Sequence, residues 1–553
     1  MDSTMLSPPH RFGWPFVPAR LTPADALVAL LLVAAGFAHA TYYVDRARPP
    51  FEDAAMLLRY ADHLAHGHGI VWNIGEPPLD GATDFLFMIG VAAVSKVGVT
   101  VETAAYVLTL SAHLACVAWV YLALRRLAGT PRLLAGFAGC YLLLGPGVSY
   151  VQAAFGTTVF ALLAAITWSF AIATASSPRG FLNAGFAFSG LLLGLIRPEG
   201  VLLAAFMLAA ICIQLIPRGW GACRGPILWF VGVMGVLGGA YFLWRWHYFG
   251  QPLPNPFYKK GHGRLYPDSL IESAQTVARQ VGVFWFFPLL ALFLPGRKRA
   301  LSFTLLPIAA FTAIWVLLSR ETNFNGRFQY AVLPIALIGF PPLGRGAGRL
   351  LLLPRLATLP PNKRRSAVAT AAVLAVGVLA YQARRNRDGG APDMGIVLVA
   401  RGLAPFADCG YSIALTEAGR LPLYSRWRAL DAWGLNDQTI AHAGHLTPAY
   451  LAQFNPHVIM FHAFFTPLAP ATGKADEWQQ MCLELQRYAE ANHYELAAAW
   501  GPSPAEAHYY YVRRDFPDSE RIIALIRGTR YTWWGSNEPC RDMRPLASRR
   551  SGD

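Results

Sequence analysis

Charge is what this chain has least of. Asp, Glu, Lys and Arg make up 14% of its 553 residues, against about 25% in a typical soluble domain. With 54% hydrophobic residues and a mean hydropathy of +0.35, a wholly water-soluble body is excluded. Acids are the scarcer sign: 32 Asp and Glu stand against 47 Lys and Arg, for a formal charge of +15. A basic excess also suits a nucleic-acid binder. Here, however, the cations fall between long apolar runs, the topogenic pattern of membrane proteins, so no nucleic acid is expected as a partner. Cysteine is sparse, seven residues without a CxxC pair. Cys116, Cys140 and Cys212 sit inside apolar runs as small core residues. Cys409, Cys482 and Cys540 leave room for at most one disulfide. The sequence holds no GxGxxG, Walker loop or GxSxG elbow, so dinucleotide, nucleoside-triphosphate and serine-hydrolase signatures are missing. No cleavable signal peptide is expected. Residues 1–20 are polar and proline-rich, and the apolar run 26–43 is long enough to span as a retained anchor.

The apolar runs and the cations between them solve for one topology. Arg11 and Arg20 place residues 1–20 in the cytoplasm. Spans follow at 26–43, 103–124, 133–155 and 158–174. A hairpin at 181–216 has its outer tip at Arg197-Pro198-Glu199-Gly200. Further spans run at 227–246, 281–294, 301–318, 330–343 and 367–381. That is about eleven spans in a membrane domain of residues 21–382. The outer loop is 44–101, and a basic cytoplasmic loop occupies 345–366. The short apolar run 85–97 reads as an interfacial or re-entrant helix, because a full span there would put Arg125 and Arg126 outside. From residue 383 to 553 the composition becomes that of a soluble α/β domain. Strands are expected at 412–416, 457–462, 495–500 and 509–512, and a helix at 477–492. The fold class expected is therefore a polytopic α-helical membrane protein with juxtamembrane helices and a C-terminal α/β domain on the extracytoplasmic side.

The outer loop carries the candidate chemistry. Glu52 and Asp53 follow the first span. Ala54, Leu57, Leu58, Ala61, Leu64 and Ala65 then keep helical spacing, with Arg59, Asp62, His63 and His66 on the opposite face, as in a helix lying on the membrane. Asp53 fits two descriptions: a favourable acid at a helix N-terminus, or a general base at the lipid–water boundary. His63, His66 and His68 do not share one face once Gly67 breaks the helix, so a zinc site is disfavoured there. Several cations break the positive-inside rule on the outer side: Arg197, Arg245, Lys259, Lys260, Arg264 and Arg327. Arg197 interrupts a long apolar stretch and either pairs with Glu199 or awaits a ligand. Lys259, Lys260 and Arg264 form either a solvated basic loop or a grip for phosphate. An outer carboxylate facing outer cations suits a transfer whose leaving group is a phosphate. Cations neutralise that group, and the carboxylate takes the proton of an attacking hydroxyl. No cofactor is required for this, while a divalent metal stays open.

The stretch RYADHLAHGHGIVWNIGEPPLDGATDFLF resembles the first outer loop of lipid-linked GT-C glycosyltransferases, the arabinofuranosyltransferases of the mycobacterial terminal β-(1→2) type above all. Glu52-Asp53 stands where that family has two aspartates, Asn73-Ile74-Gly75-Glu76 where it has an Asn-x-Gly-Glu turn, and Asp80-Gly81-Ala82-Thr83 where it has Glu-Gly-x-Thr. Arg197-Pro198-Glu199, Leu253-Pro254-Asn255-Pro256-Phe257-Tyr258 with the following lysine, and Gly326-Arg327 match further segments. Thr416-Glu417-Ala418-Gly419 and Leu435-Asn436-Asp437 resemble the relatives' outer domain. The resemblance implies an inverting transferase in a bacterial inner membrane. It would move a sugar, such as arabinofuranose, from a polyprenyl-phosphate donor to a cell-envelope glycan, glycolipid or protein, with membrane lipid around it. Asp53 would be the base, supported or replaced by Glu52. Lys259, Lys260, Arg327 and Arg197 would hold the donor phosphate. Asn73, Glu76, Asp80, Tyr258 and Glu199 would shape the sugar and acceptor site. Two departures stand out: Glu52 replaces the first aspartate, and Gly156-Thr157-Thr158 replaces a Gly-x-Glu. A non-catalytic alternative is a transporter or flippase, or an envelope-assembly scaffold, that handles lipid-linked sugars.

Overall fold

The computed structural model describes residues 14–261, 265–318, 323–345, 360–386, 394–473 and 475–544. Arg11, Arg264 and residues 346–359 of the basic loop lie outside them. Among the described residues, eight helices are long and apolar enough to cross a membrane: Pro23–Tyr43, Val101–Ala128, Arg132–Gln152, Thr157–Ser176, Glu199–Arg218, Gly221–Phe249, Lys298–Leu317 and Pro361–Arg385. Three shorter apolar helices are Phe85–Ser95, Gly180–Ile196 and Val332–Gly344. The chain is thus a multi-pass membrane protein. Its ends are set by ordinary means. Thr100 caps Val101–Ala128 by accepting from the Thr103 N–H, and Gly129 closes it in the left-handed region, with Arg125 and Arg126 in the last turn. These satisfy or complement the orphan groups of the helix ends. Burial separates centre from rim: 72% of the Arg132–Gln152 segment is covered, against 6% of Pro361–Arg385.

The run 281–294 departs from its expected span. It is a 3₁₀ turn, Gly282–Trp285, and a seven-residue helix, Phe286–Leu292. Together they are shorter than the ~20 residues a bilayer crossing needs. The hairpin is as expected, with Gly180–Ile196 and Glu199–Leu215 joined at Arg197-Pro198.

The C-terminal domain holds a six-stranded sheet: β1 (Ser412–Leu415), β2 (Arg428–Asp431), β3 (Val458–Ala463), β4 (Glu495–Ser503), β5 (Glu506–Val512) and β6 (Arg541–Asp542). The order is β2-β1-β3-β5-β4-β6. The β2-β1-β3 pairs are parallel and the others antiparallel. The two-residue alternation of strands divides it cleanly. Ile413, Leu415, Val458, Met460, Tyr510 and Val512 join the core that continues into the membrane part. Ala414, Ile459, Phe461, Tyr509 and Tyr511 pack with Met481, Cys482 and Leu485 of the helix Glu477–Ala491. One face of the sheet therefore fastens the domain to the helices below. Strands β2 and β6 were not visible in the sequence; each is short and carries charge in place of an apolar run.

The outer-loop helix, Glu52–Ala65, is not a helix lying free on a membrane. Arg59 and His63, assigned to its polar face, are buried. The Arg59 guanidinium donates to the carbonyls of Trp72 (2.8 Å) and Trp427 (2.9 Å) and to that of Pro422. A guanidinium satisfies several carbonyls at once because its donors form a rigid fork. The C-terminal domain covers the face that water was expected to cover.

Candidate active site

Glu52 and Asp53 open the helix after Phe51, so their side chains leave it about 100° apart. That angle sends them to different places. The Glu52 carboxylate accepts from the backbone N–H groups of Gly419 and Arg420, the latter at 3.0 Å, and lies 3.4 Å from the Arg420 guanidinium. A Cβ at Gly419 would run into the Glu52 carbonyl, so only glycine permits this approach. Burial, and after it the nearby Glu417 carboxylate, pushes the Glu52 carboxyl well above the usual range. Asp53 instead lines a cavity of about 360 Å³ and accepts from Arg327 Nη2 at 2.5 Å.

That cavity lies where the outer loops, the hairpin tip and the outer domain meet. Asp53, Asp84, Arg197, Glu199, Lys260 and Arg327 supply its charges. Leu253, Pro254, Pro256 and Phe257 form one apolar wall, and Trp315, Leu318 and Phe328 another. Leu435 and Asn436 of the outer domain complete the lining. Arg327 lies 4.0 Å over the Phe155 ring and 5.0 Å from that of Phe328, which also has Arg197 on it at 5.1 Å. Two guanidinium groups thus share one aromatic partner, an arrangement that steadies cations out of water. Arg197 also donates to Glu199 at 2.6 Å and sits 3.7 Å from Asp84. The buried Nε of Arg327 has no hydrogen-bond partner among the described residues. An unfilled donor on a buried guanidinium is costly unless an anion completes it.

The remaining expected residues divide between cavity and domain contact. Lys260 lines the cavity. Its neighbour Lys259 turns away, donating to the Gly444 carbonyl at 2.8 Å and lying 4.0 Å over the Trp433 ring. Tyr258 packs on His442, with ring centroids 4.4 Å apart. Asn73 accepts from the Ala429 N–H (2.9 Å) and from Arg59 (3.1 Å), and donates to the Ala429 carbonyl and to Glu76. Glu76 in turn accepts from Arg428 at 2.7 Å. Asp80 is ion-paired with Arg245, and burial raises its carboxyl pKa in spite of that cation. Lys259, Tyr258, Asn73, Glu76 and Asp80 do not line this cavity; the first four bind the outer domain.

Two cavity residues lie in stretches that the sequence analysis quoted but were given no role there. Asp84, one position past Asp80-Gly81-Ala82-Thr83, precedes the apolar helix Phe85–Ser95. An acid before an apolar run was the available signal. Burial pushes its carboxyl up, with Arg197 opposing. Gly156 lies against it, for a Cβ there would meet Phe87 at 2.9 Å and Asp84 Oδ2 at 3.0 Å. Thr158, the residue that departs from the Gly-x-Glu pattern of the resemblance, donates to the Thr109 carbonyl at 2.8 Å and is buried. Asn436 is the second. Asp431 accepts from its backbone N–H (2.8 Å) and its amide (3.0 Å), which aims the Asn436 Oδ1 at the Tyr60 hydroxyl, 3.1 Å away. Nothing local in Leu435-Asn436-Asp437 announces a partner more than 370 positions upstream.

The fold is similar to that of solved GT-C membrane glycosyltransferases. ArnT from Cupriavidus metallidurans, solved with undecaprenyl phosphate bound, is similar at a TM-score of 0.57 and 16% identity, over 88% of this chain and 98% of that one. The Archaeoglobus fulgidus oligosaccharyltransferase is similar at 0.52 and 10% identity, over 79% and 69%. The mycobacterial arabinofuranosyltransferase AftD is similar at 0.51 and 16% identity; 91% of this chain aligns with 41% of AftD. Residues 393–520 match a family model described as a domain of unknown function, DUF8728. No curated protein matches the chain.

Proposed function

We propose that this chain is an inverting glycosyltransferase. It takes a sugar from a polyprenyl-phosphate donor and gives it to a hydroxyl of a cell-envelope glycan, glycolipid or protein. The site lies on the outer face of a bacterial inner membrane, with the N-terminus cytoplasmic. Arabinofuranose is the sugar we favour, on the likeness to AftD.

One observation carries the reading: a cavity in which Asp53 is held against Arg327, whose buried Nε lacks a partner, beside Lys260 and Arg197. The donor phosphate would complete Arg327 and compete with Asp53 for it. The released carboxylate then takes the acceptor's proton as the acceptor oxygen bonds to the anomeric carbon. The bond from that carbon to the phosphate oxygen breaks, and polyprenyl phosphate leaves with the electron pair. Arg327, Arg197 and Lys260 neutralise it, so no general acid is needed. Glu52 does not line the cavity, and in this reading it positions the helix that carries Asp53. The apolar walls would receive the first isoprene units.

The test is to incubate purified protein with polyprenyl-phosphate arabinose and an envelope acceptor and to measure released polyprenyl phosphate. Release by wild type and not by a normally folded Asp53→Asn protein is the expected result. Release at the wild-type rate by that variant would overturn the assignment.

A further inference from the structure

Behind the loop that holds Glu52, the outer domain gathers four titratable side chains that the transfer does not use. Glu417 ends the segment after β1, His462 lies in β3, and Glu506 and His508 lie in β5. Ligand atoms of Glu417, His462 and His508 all fall within 4.8 Å of one another. His462 Nδ1 is 3.1 Å from Glu417 Oε1, and its Nε2 is 3.0 Å from Glu506 Oε1. The His462 and His508 rings stand at 89° with centroids 4.7 Å apart. His508 is buried, and its Nδ1 is 2.6 Å from the Tyr531 hydroxyl.

We propose that Glu417, His462 and His508 form a zinc site that staples the outer domain's loop 416–420 to its sheet.

The spacing and the outer contacts both point there. Two ligand atoms bound 2.0–2.1 Å from a tetrahedral zinc lie about 3.3 Å apart, close to the 3.1 Å between Glu417 Oε1 and His462 Nδ1. With Nδ1 on the metal, Nε2 of His462 carries the proton and donates to Glu506. With Nε2 of His508 on the metal, its Nδ1 carries the proton and donates to Tyr531. Each ligating imidazole therefore has an acceptor at its far nitrogen, which fixes the tautomer that zinc needs. Two imidazoles and a carboxylate are a donor set that zinc accepts readily, with a fourth position left for water. The Glu417, His462 and Glu506 side chains are 19%, 18% and 34% exposed, so an ion can enter from solvent. The competing description is an imidazolium clamped by two glutamates. It accounts for His462 and gives no reason for a His508 ligand atom to fall within the same 4.8 Å as those of Glu417 and His462.

The loop gives the staple its effect. Gly419 and Arg420, two and three residues after Glu417, donate to Glu52. A metal on Glu417 thus holds the surface on which the Asp53 helix rests. This site stands independently of the transferase reading.

The experiment uses the full chain in detergent, purified without a histidine tag, stripped with chelator and titrated with zinc chloride. Expected are one zinc per chain, a rise in melting temperature, and loss of both in Glu417→Gln and His508→Gln. Glu506→Gln should keep the metal with affinity about 10- to 100-fold weaker, as for an outer carboxylate. Should the ligand variants fail to fold, cobalt(II) added to wild type should give the strong visible absorption of a tetrahedral site, displaced by one equivalent of zinc. Absence of stoichiometric zinc, or of that cobalt spectrum, or zinc binding unchanged in Glu417→Gln, would overturn the site and leave the clamped imidazolium.

Discussion

The outer loops have two faces, one toward the cavity and one toward the C-terminal domain, and chemically similar neighbours go to opposite faces. Asp53 meets Arg327 in the cavity while Glu52 meets Gly419 and Arg420 of the domain. Lys260 lines the cavity while Lys259 donates to Gly444. The lesson is that residue type near a site says little about role. A turn of about 100° per helical residue separates a group that faces the cavity from one that faces the C-terminal domain.

The sharpest way to break this comparison is the acid pair. Asp53→Asn should cut the transfer rate by about 10²- to 10⁴-fold, the range of general-base catalysis, in protein that still folds. Glu52→Gln should keep the rate within a few-fold. A greater rate loss in Glu52→Gln would invert the assignment. Next comes the domain face. Asn73→Ala strands the Ala429 N–H and one Arg59 donor, while the Ala429 carbonyl keeps the Trp72 indole N–H; the cost is about 1–3 kcal/mol, and thermal unfolding should report it while the donor KM stays put. The lysine pair comes third. Lys260→Met should raise donor KM about tenfold, about 1.4 kcal/mol of lost phosphate contact, whereas Lys259→Met should lower the melting temperature instead. The smallest effect is the pH response of Asp84. Burial raises its folded pKa, with Arg197 opposing. The folded state therefore keeps its proton to higher pH than the unfolded chain. The stability this group contributes is full below the ordinary carboxylate range and is lost as pH rises through the folded value. Asp84→Asn should gain melting temperature relative to wild type as pH is raised from acid to neutral. A gap that narrows would mean that Arg197 outweighs burial.

The membrane architecture was legible because apolar length and flanking cations act locally along the chain. The hairpin at Arg197-Pro198 and four of the six strands were read for the same reason. The failures were long-range. Arg59 looks like part of a polar helix face until Trp427 and Pro422 arrive from the C-terminal domain. The run 281–294 has the composition of a span and not the helical continuity. In the candidate site, Asp53, Arg327, Arg197, Glu199 and Lys260 were foreseen and do line one cavity. Asp84 lies inside the quoted outer-loop stretch, one residue past its Asp80-Gly81-Ala82-Thr83 motif, and was given no role. Asn436 depends on Asp431 to aim it, a relation no periodicity encodes.

Leu435 and Asn436 close the cavity from the last third of the chain. A chain made from its N-terminus has every long apolar helix of the described residues, Asp53 and Arg327 synthesised before those two residues exist. Leu435 and Asn436 are thus the last of the lining to arrive, and a chain halted before them leaves the cavity a trough open on that side. Order of synthesis thereby sets the order of enclosure: the chamber closes only once the C-terminal domain has begun to form.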